Sequence, residues 1–267
     1  MNVTEELKKS FRDDKAAEGK LPDSYIMTGI KGLDDIIAGL APGYLTLIAS
    51  RPGMGKTALM IQMTEIILRS GHRVMTFSLE TSGERLLSRL DVPAEYTDNL
   101  KICDEIPLSV RQIAERYDAA GGADVVFVDY LTLLDGLDGK CLVGAGAAAY
   151  SNRCEVLEEL KEFCRDKNTH VIIFALLARL ANSDRGPTIK DVGVHVVAPS
   201  VPDNIILIHR YPYYSDEESV PKEEQGPYGE LIVAKNRHGK IGEVKVLTKI
   251  TASGALRFIS LDTEITE

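Results

Sequence analysis

The sequence predicts an α/β protein: a mostly parallel, twisted sheet with helices on both faces, extended on its C-terminal side by antiparallel strands. Three observations predict it. Short, nearly continuous apolar runs alternate with helical stretches between residues 44 and 175, the pattern of parallel strands buried on both faces. One strand-to-helix junction carries Gly53, Gly55 and Lys56, in the stretch LTLIASRPGMGKTALM of residues 45–60. From residue 204 onward the runs NIILIHR, GELIVAKNR, GEVKVLTKI and GALRFISL alternate more and are joined by short Gly-containing turns, which read as hairpin strands.

In chain order, residues 4–17 are charged, and Val3, Leu7 and Phe11 recur about every four residues, the spacing of a short amphipathic helix. Residues 1–20 therefore read as an N-terminal arm or linker. Residues 21–267 read as one domain, since no stretch is rich enough in Pro, Gly or Ser to divide them. A short helix is expected around Leu33 to Ala38, then a Pro42-Gly43 turn and a strand from Tyr44 to Ala49. Helix 57–69, strand 73–79, helix 83–90 and a further helix opening at SVRQ follow. There Ser109 and Gln112 fit a capping box. Strand 124–128, helix 152–166 and strand 170–175 complete the alternation.

Composition bounds the function. The 267 residues are 44% hydrophobic and 27% charged, enough apolar material for a substantial core. No apolar run approaches the roughly 20 residues of a membrane span, and the polar N-terminus lacks the apolar core of a secretory signal. A cytoplasmic protein without membrane contact is expected. Cys103, Cys141, Cys154 and Cys164 have no C-x-x-C spacing and read as reduced thiols rather than metal ligands. The five histidines show no ligand spacing either. A net charge of −9 argues against a broadly basic surface, although a ring can confine positive charge to a channel.

The chemistry centres on the Gly-rich turn. A strand, then Arg51, Pro52, Gly53, Met54, Gly55, Lys56, Thr57 and Ala58 opening a helix, is the context of a P-loop. Backbone N–H groups and the positive helix end attract phosphate oxygens, Lys56 neutralises β/γ charge, and Thr57 offers a hydroxyl to Mg²⁺. Ser50 stands where the general pattern has Gly. Asp129, directly after the buried strand DVVFV, could hold water on Mg²⁺ or cap a turn. Glu80 ends the strand RVMTFSLE. It could orient the water that attacks a γ-phosphate, or cap the next helix. The carboxyl ends of parallel strands converge on one crevice, so these residues should line one wall.

Taken together, TGIKGLDDIIAGLAPGYLTLIASRPGMGKTALM, FSLETSGERLLSRL, VVFVDYLTLL, RYPYYS and IVAKNRHGKIGEVKV resemble, in order and spacing, the RecA-like motor domain of the DnaB-like family of bacterial replicative helicases. The resemblance covers roughly residues 25–260 and implies a RecA-like P-loop NTPase with ATP and Mg²⁺ as ligands. It further implies a hexameric ring and movement on single-stranded DNA. It makes Lys56 and Thr57 phosphate and Mg²⁺ residues, Asp129 a metal residue and Glu80 the general base. Lys235 and Arg237 of AKNR match residues that such rings supply to the γ-phosphate of the next subunit. Read alone, they would be a charged hairpin edge.

Two departures stand out. Where the family has a Gln that senses the γ-phosphate, this sequence has Leu176, which cannot donate a hydrogen bond. Both loops that would face DNA are short of positive charge: DVGVHVVAPSVPDN, bracketed by Asp191 and Asp203, is apolar inside, and DGLDGKCLVGAGAAAYSNR carries only Lys140 and Arg153. The expectation is thus an ATP-driven DNA translocase, with a regulatory ATPase or ATP-binding scaffold that no longer unwinds DNA as the alternative.

Overall fold

A computed structural model describes residues 25–105, 108–134, 142–143, 146–178, 186–210, 227–251 and 254–261. The expected arm of residues 1–20, residues 211–215 of RYPYYS and Lys140 lie outside the described residues. In chain order the elements are α1 (Lys31–Ile37), β1 (Leu45–Ser50), α2 (Lys56–Arg69), β2 (Val74–Ser78), α3 (Gly83–Leu87), α4 (Ala94–Thr97), β3 (Leu100–Cys103), α5 (Val110–Ala119), β4 (Val125–Asp129), α6 (Ala147–Lys167), β5 (His170–Leu176), α7 (Ile189–His195), β6 (Asn204–Arg210), β7 (Tyr228–Asn236), β8 (Gly242–Ile250) and β9 (Leu256–Ser260).

The described strands form one sheet of nine, ordered β3-β2-β4-β5-β1-β6-β7-β8-β9. Its six strands from β3 to β6 run parallel, and β7 to β9 are antiparallel. β6 extends the sequence reading. NIILIHR pairs antiparallel with β7, as expected, and also parallel with β1 on its other side. It is buried along its length up to His209. Flanked on both sides and covered on both faces, it is apolar from Ile205 to Ile208.

Side-chain alternation sends the two faces into separate cores. Leu45, Leu47, Met75, Phe77, Val126, Val128 and Ile173 meet α5, α6 and Val192 of α7 on one side. Ile48, Val74, Phe127, Phe174, Ile206 and Ile208 meet α1 and α2 on the other. Each such fully buried Leu, Ile or Phe contributes about 1.5–3 kcal/mol.

The capping box at Ser109 forms: its N–H donates to Gln112 Oε1 at 2.9 Å, and its Oγ accepts from the Gln112 N–H at 3.4 Å. α6 begins at Ala147, five residues before the expected start, so part of VGAGAAAY is helical. α3 ends at Leu87 rather than residue 90. Among the described residues, no helix is long and apolar enough to cross a membrane. Cys103, Cys154 and Cys164 are free thiols.

Candidate functional site

β1 delivers the Gly-rich turn at the carboxyl end of the parallel strands. Ser50, fully buried, donates its hydroxyl to the Arg51 carbonyl at 2.9 Å, which accommodates a side chain where the general pattern has Gly. Gly53 and Gly55 have φ of 78° and 98°, the left-handed region that favours glycine. A Cβ on Gly55 would also lie 2.8 Å from Leu256 Cδ2 and 3.0 Å from Phe258 Cζ of β9. Conformation and space both require glycine at that position, where α2 begins.

Lys56, the first residue of α2, is buried and makes no side-chain hydrogen bond among the described residues. Burial lowers its pKa, and the carboxylates of Asp129 and Glu80 oppose that shift. Thr57 donates its hydroxyl to Asp129 Oδ2 at 3.0 Å. Asp129 is wholly buried, and its Oδ1 has no hydrogen-bond partner among the described residues. Burial raises its pKa, the Thr57 hydrogen bond lowers it, Glu80 adds to the rise and Lys56 opposes it. An orphaned carboxylate oxygen beside a hydroxyl is the oxygen donor set a hard divalent cation takes, so Thr57 and Asp129 fit Mg²⁺.

Glu80 lies just past β2 and is exposed. The Leu79 N–H donates to the Asp129 carbonyl at 2.8 Å, which ties this segment to the end of β4. The first turn of α3 is served by Asp104, whose Oδ2 accepts from the Gly83 N–H at 2.7 Å. Capping of α3 is therefore not the business of Glu80, which makes no hydrogen bond among the described residues. Leu176 ends β5 in register with Ser50, and the Leu177 N–H donates to the Ser50 carbonyl at 2.9 Å. The position expected for a sensor thus adjoins the Gly-rich turn, with an apolar side chain.

Lys56, Thr57, Glu80, Asp129 and Leu176 come together at one end of the sheet. Lys235 and Arg237 do not join them. Asn236 pairs with Asn204, which pairs with Thr46 at the start of β1, so AKNR lies at the opposite end; six residues of β1 alone span about 20 Å. There Arg237 Nε lies 2.9 Å from Asp203 Oδ1 in an ion pair, and Nη2 donates to the Ser200 carbonyl at 2.8 Å. Asp203 Oδ2 accepts from the Leu45 N–H at 2.8 Å and pairs with Lys161. Lys235 Nζ donates to the carbonyls of Pro199, Ser200 and Pro202 at 2.7, 3.0 and 2.5 Å. Burial lowers its pKa, and Arg237 adds to the effect.

Several contributors escaped sequence reasoning. Asp203 stood out only as a loop boundary, and Lys161 not at all; a buried Asp directly before a strand was the available signal. Gln62 and Glu65 of α2 also hold the site, by fastening the Gly-rich turn's helix to β9. Arg257 donates to Glu65 Oε1 at 2.8 Å, and that oxygen also accepts from the Asp91 N–H at 2.9 Å. Arg153, expected in a DNA-facing loop, is buried. Its Nε donates to the Val196 carbonyl at 2.7 Å and its Nη1 to the Leu142 carbonyl at 2.8 Å, so this guanidinium joins the two loops to each other.

The model of the DnaB-like helicase C-terminal domain matches residues 26–97 and 93–253. Among curated relatives, the replicative DNA helicase DnaB of Haemophilus influenzae is 28% identical over 262 residues, covering 83% of this chain and 53% of that protein. The replicative DNA helicase DnaC of Bacillus subtilis is 26% identical over 257 residues, covering 83% and 54%. The chain spans about half the length of the curated relatives it matches. Two solved structures share its fold at a TM-score of 0.78. One is described as an ATPase domain, 24% identical and covering 98% of this chain and 99% of that one. The other is a DnaB-like replicative helicase described with its primase interactions, 23% identical and covering 98% and 69%. Matched along most of its length and carrying the Gly-rich turn, Thr57–Asp129 pair and AKNR strand in one RecA-like sheet, the chain belongs to the DnaB-like helicase C-terminal domain family.

Proposed function

We propose that this chain is the ATP-hydrolysing motor domain of a DnaB-like replicative helicase, acting in the cytoplasm as a hexameric ring that moves on single-stranded DNA. The observation that carries the reading is polarity. The Gly-rich turn lies at one end of the sheet and Arg237 at the other, so Arg237 cannot serve its own turn and meets a γ-phosphate only across a subunit contact. Such a finger is worth about 10³ to 10⁵ in rate, and hydrolysis then depends on assembly.

On this reading, Lys56 and the N–H groups from Arg51 to Ala58, including those of Gly53 and Met54 just after Pro52, bind the phosphates of ATP. Thr57 and Asp129 hold Mg²⁺, which when bound neutralises charge on the phosphate oxygens. Glu80 orients the attacking water and accepts its proton. Contacts to DNA come from backbone amides and a few Lys or Arg residues, with a steep dependence on salt.

A second reading, an ATPase or ATP-binding scaffold no longer coupled to DNA, is favoured by Leu176 beside Ser50 and by Arg153, buried on backbone carbonyls. ATP hydrolysis at concentrations that allow assembly, with and without single-stranded DNA, separates the two. The helicase reading expects turnover that DNA stimulates and that Lys56→Ala and Arg237→Ala abolish. Turnover indifferent to DNA supports the second reading. A strict monomer in the presence of ATP, or vigorous turnover by Arg237→Ala, overturns the ring.

A further inference from the structure

A guanidinium is costly to bury without hydrogen-bond partners, yet Arg153 is buried, in the second turn of α6. Its Nε donates to the Val196 carbonyl at 2.7 Å and its Nη1 to the Leu142 carbonyl at 2.8 Å. Leu142 precedes α6 and Val196 follows α7, so the two acceptors belong to the two segments expected to face DNA. A guanidinium carries its donors in a rigid planar fork. One side chain therefore sets how far apart those two carbonyls lie.

The next residue grips the same ground. Cys154 Sγ accepts from the Ala198 N–H at 3.3 Å, and the N–H groups of Val196 and Val197 donate to the Val192 carbonyl of α7 at 2.9 and 3.2 Å. Residues 196–198 are thus fixed by α6 on one side and by α7 on the other. Leu142 buries its side chain in the same core as Val156 and Leu157 of α6 and Val192 of α7, and Arg153 holds its main chain. Two segments more than 50 residues apart in sequence meet at one side chain.

We infer that Arg153 is a positioning residue for single-stranded DNA: it yokes the segments around Leu142 and Val196, so that the strand meets them as one surface, and it touches no phosphate itself. The inference rests on the proposed reading of the chain as a DNA translocase. It gives a cation in a segment poor in positive charge a task other than charge.

Binding of a fluorescent oligothymidylate to the assembled chain, with a non-hydrolysable ATP analogue and across a range of salt concentrations, tests it alongside amide hydrogen exchange. Arg153→Met is expected to weaken binding roughly 10-fold, the scale of ordering loops anew on association. The factor should be the same at every salt concentration, because no phosphate contact is lost; a lost contact would flatten the slope of log affinity against log salt by about 0.7. Exchange is expected to quicken around Leu142 and around Val196 together, while β1 and α2 keep their protection. Arg153→Lys keeps the charge but puts one nitrogen where two donors stood, so it is expected to weaken binding as Arg153→Met does. A flattened slope, full rescue by Arg153→Lys, quicker exchange in only one of the two segments, or unchanged affinity each overturns the inference while leaving the DNA reading intact. No binding by the parent chain at any salt concentration overturns the DNA reading and the inference with it. If Arg153→Met does not fold, Arg153→Lys carries both measurements.

Discussion

Gln62 uses both ends of its side-chain amide on the main chain of Phe258: Nε2 donates to the Phe258 carbonyl and Oε1 accepts from the Phe258 N–H, each at 2.8 Å. The bonds are buried, and they fasten the helix that follows the Gly-rich turn to the last described strand. Gln62→Ala orphans both backbone groups, and each orphaned buried group costs about 1–3 kcal/mol. A lowered midpoint in thermal or urea unfolding is expected. Because Phe258 also packs beside Gly55, nucleotide affinity is expected to fall along with stability.

Gly55→Ala is expected to be harsher. The substitution meets a φ of 98° and a Cβ position 2.8 Å from Leu256 Cδ2. Trimming Leu256 to Ala relieves the clash but not the backbone, so the double variant is expected to recover only part of the ATP affinity. Titration with a fluorescent ATP analogue reads both. Full recovery would mean that space alone requires glycine there.

Stability is expected to fall as the pH drops from about 6.5 toward 4. His170 is wholly buried, its Nδ1–H donates to the Ala41 carbonyl at 2.7 Å, and its Nε2 accepts from the Thr46 hydroxyl at 2.9 Å. Burial lowers its pKa to about 4, Ala41 and Asp203 oppose the shift, and Lys161 adds to it. Between the two pKa values the unfolded chain binds the proton and the folded chain does not, so stability rises with pH across that window and is lost on acidification. The loss is on the order of 3 kcal/mol for this residue. His209, whose pKa burial also lowers to about 4, works in the same direction. Urea midpoints at about pH 7, 5.5 and 4.5 should decline, and less steeply in His170→Gln.

Leu176→Gln would place a hydrogen-bonding side chain at the end of β5, beside Ser50. If the apolar side chain is what separates hydrolysis from DNA, the variant's ATPase is expected to gain stimulation by single-stranded DNA, severalfold over the parent. An unchanged ratio would assign the uncoupling to the loops instead.

That the residues around the Gly-rich turn lie together was legible because they are local. Gly53 to Thr57 share one turn, and Asp129 and Glu80 each follow an apolar strand. The far end was legible only as AKNR, since what Lys235 holds are carbonyls more than 30 residues away, and every residue has one. Arg153 misled for a related reason: a charge between loops reads as exposed until the carbonyls of Leu142 and Val196 close around it. Only half of β6's pairing was legible, because its parallel partner β1 lies far off in sequence, whereas its antiparallel partner β7 follows next. β3 went unnoticed because four residues at a sheet edge, only Leu100 of them fully buried, scarcely form a pattern.

The opposed ends of the sheet also govern how assembly and turnover are counted. A socket at one end and a plug at the other let copies, on the proposed reading, add head to tail, and such a series either closes on itself or leaves ends. On the proposed reading, a linear string always carries one socket without a plug, and closure alone fills them all. Specific activity would then climb with each added subunit and take a last step when the circle shuts.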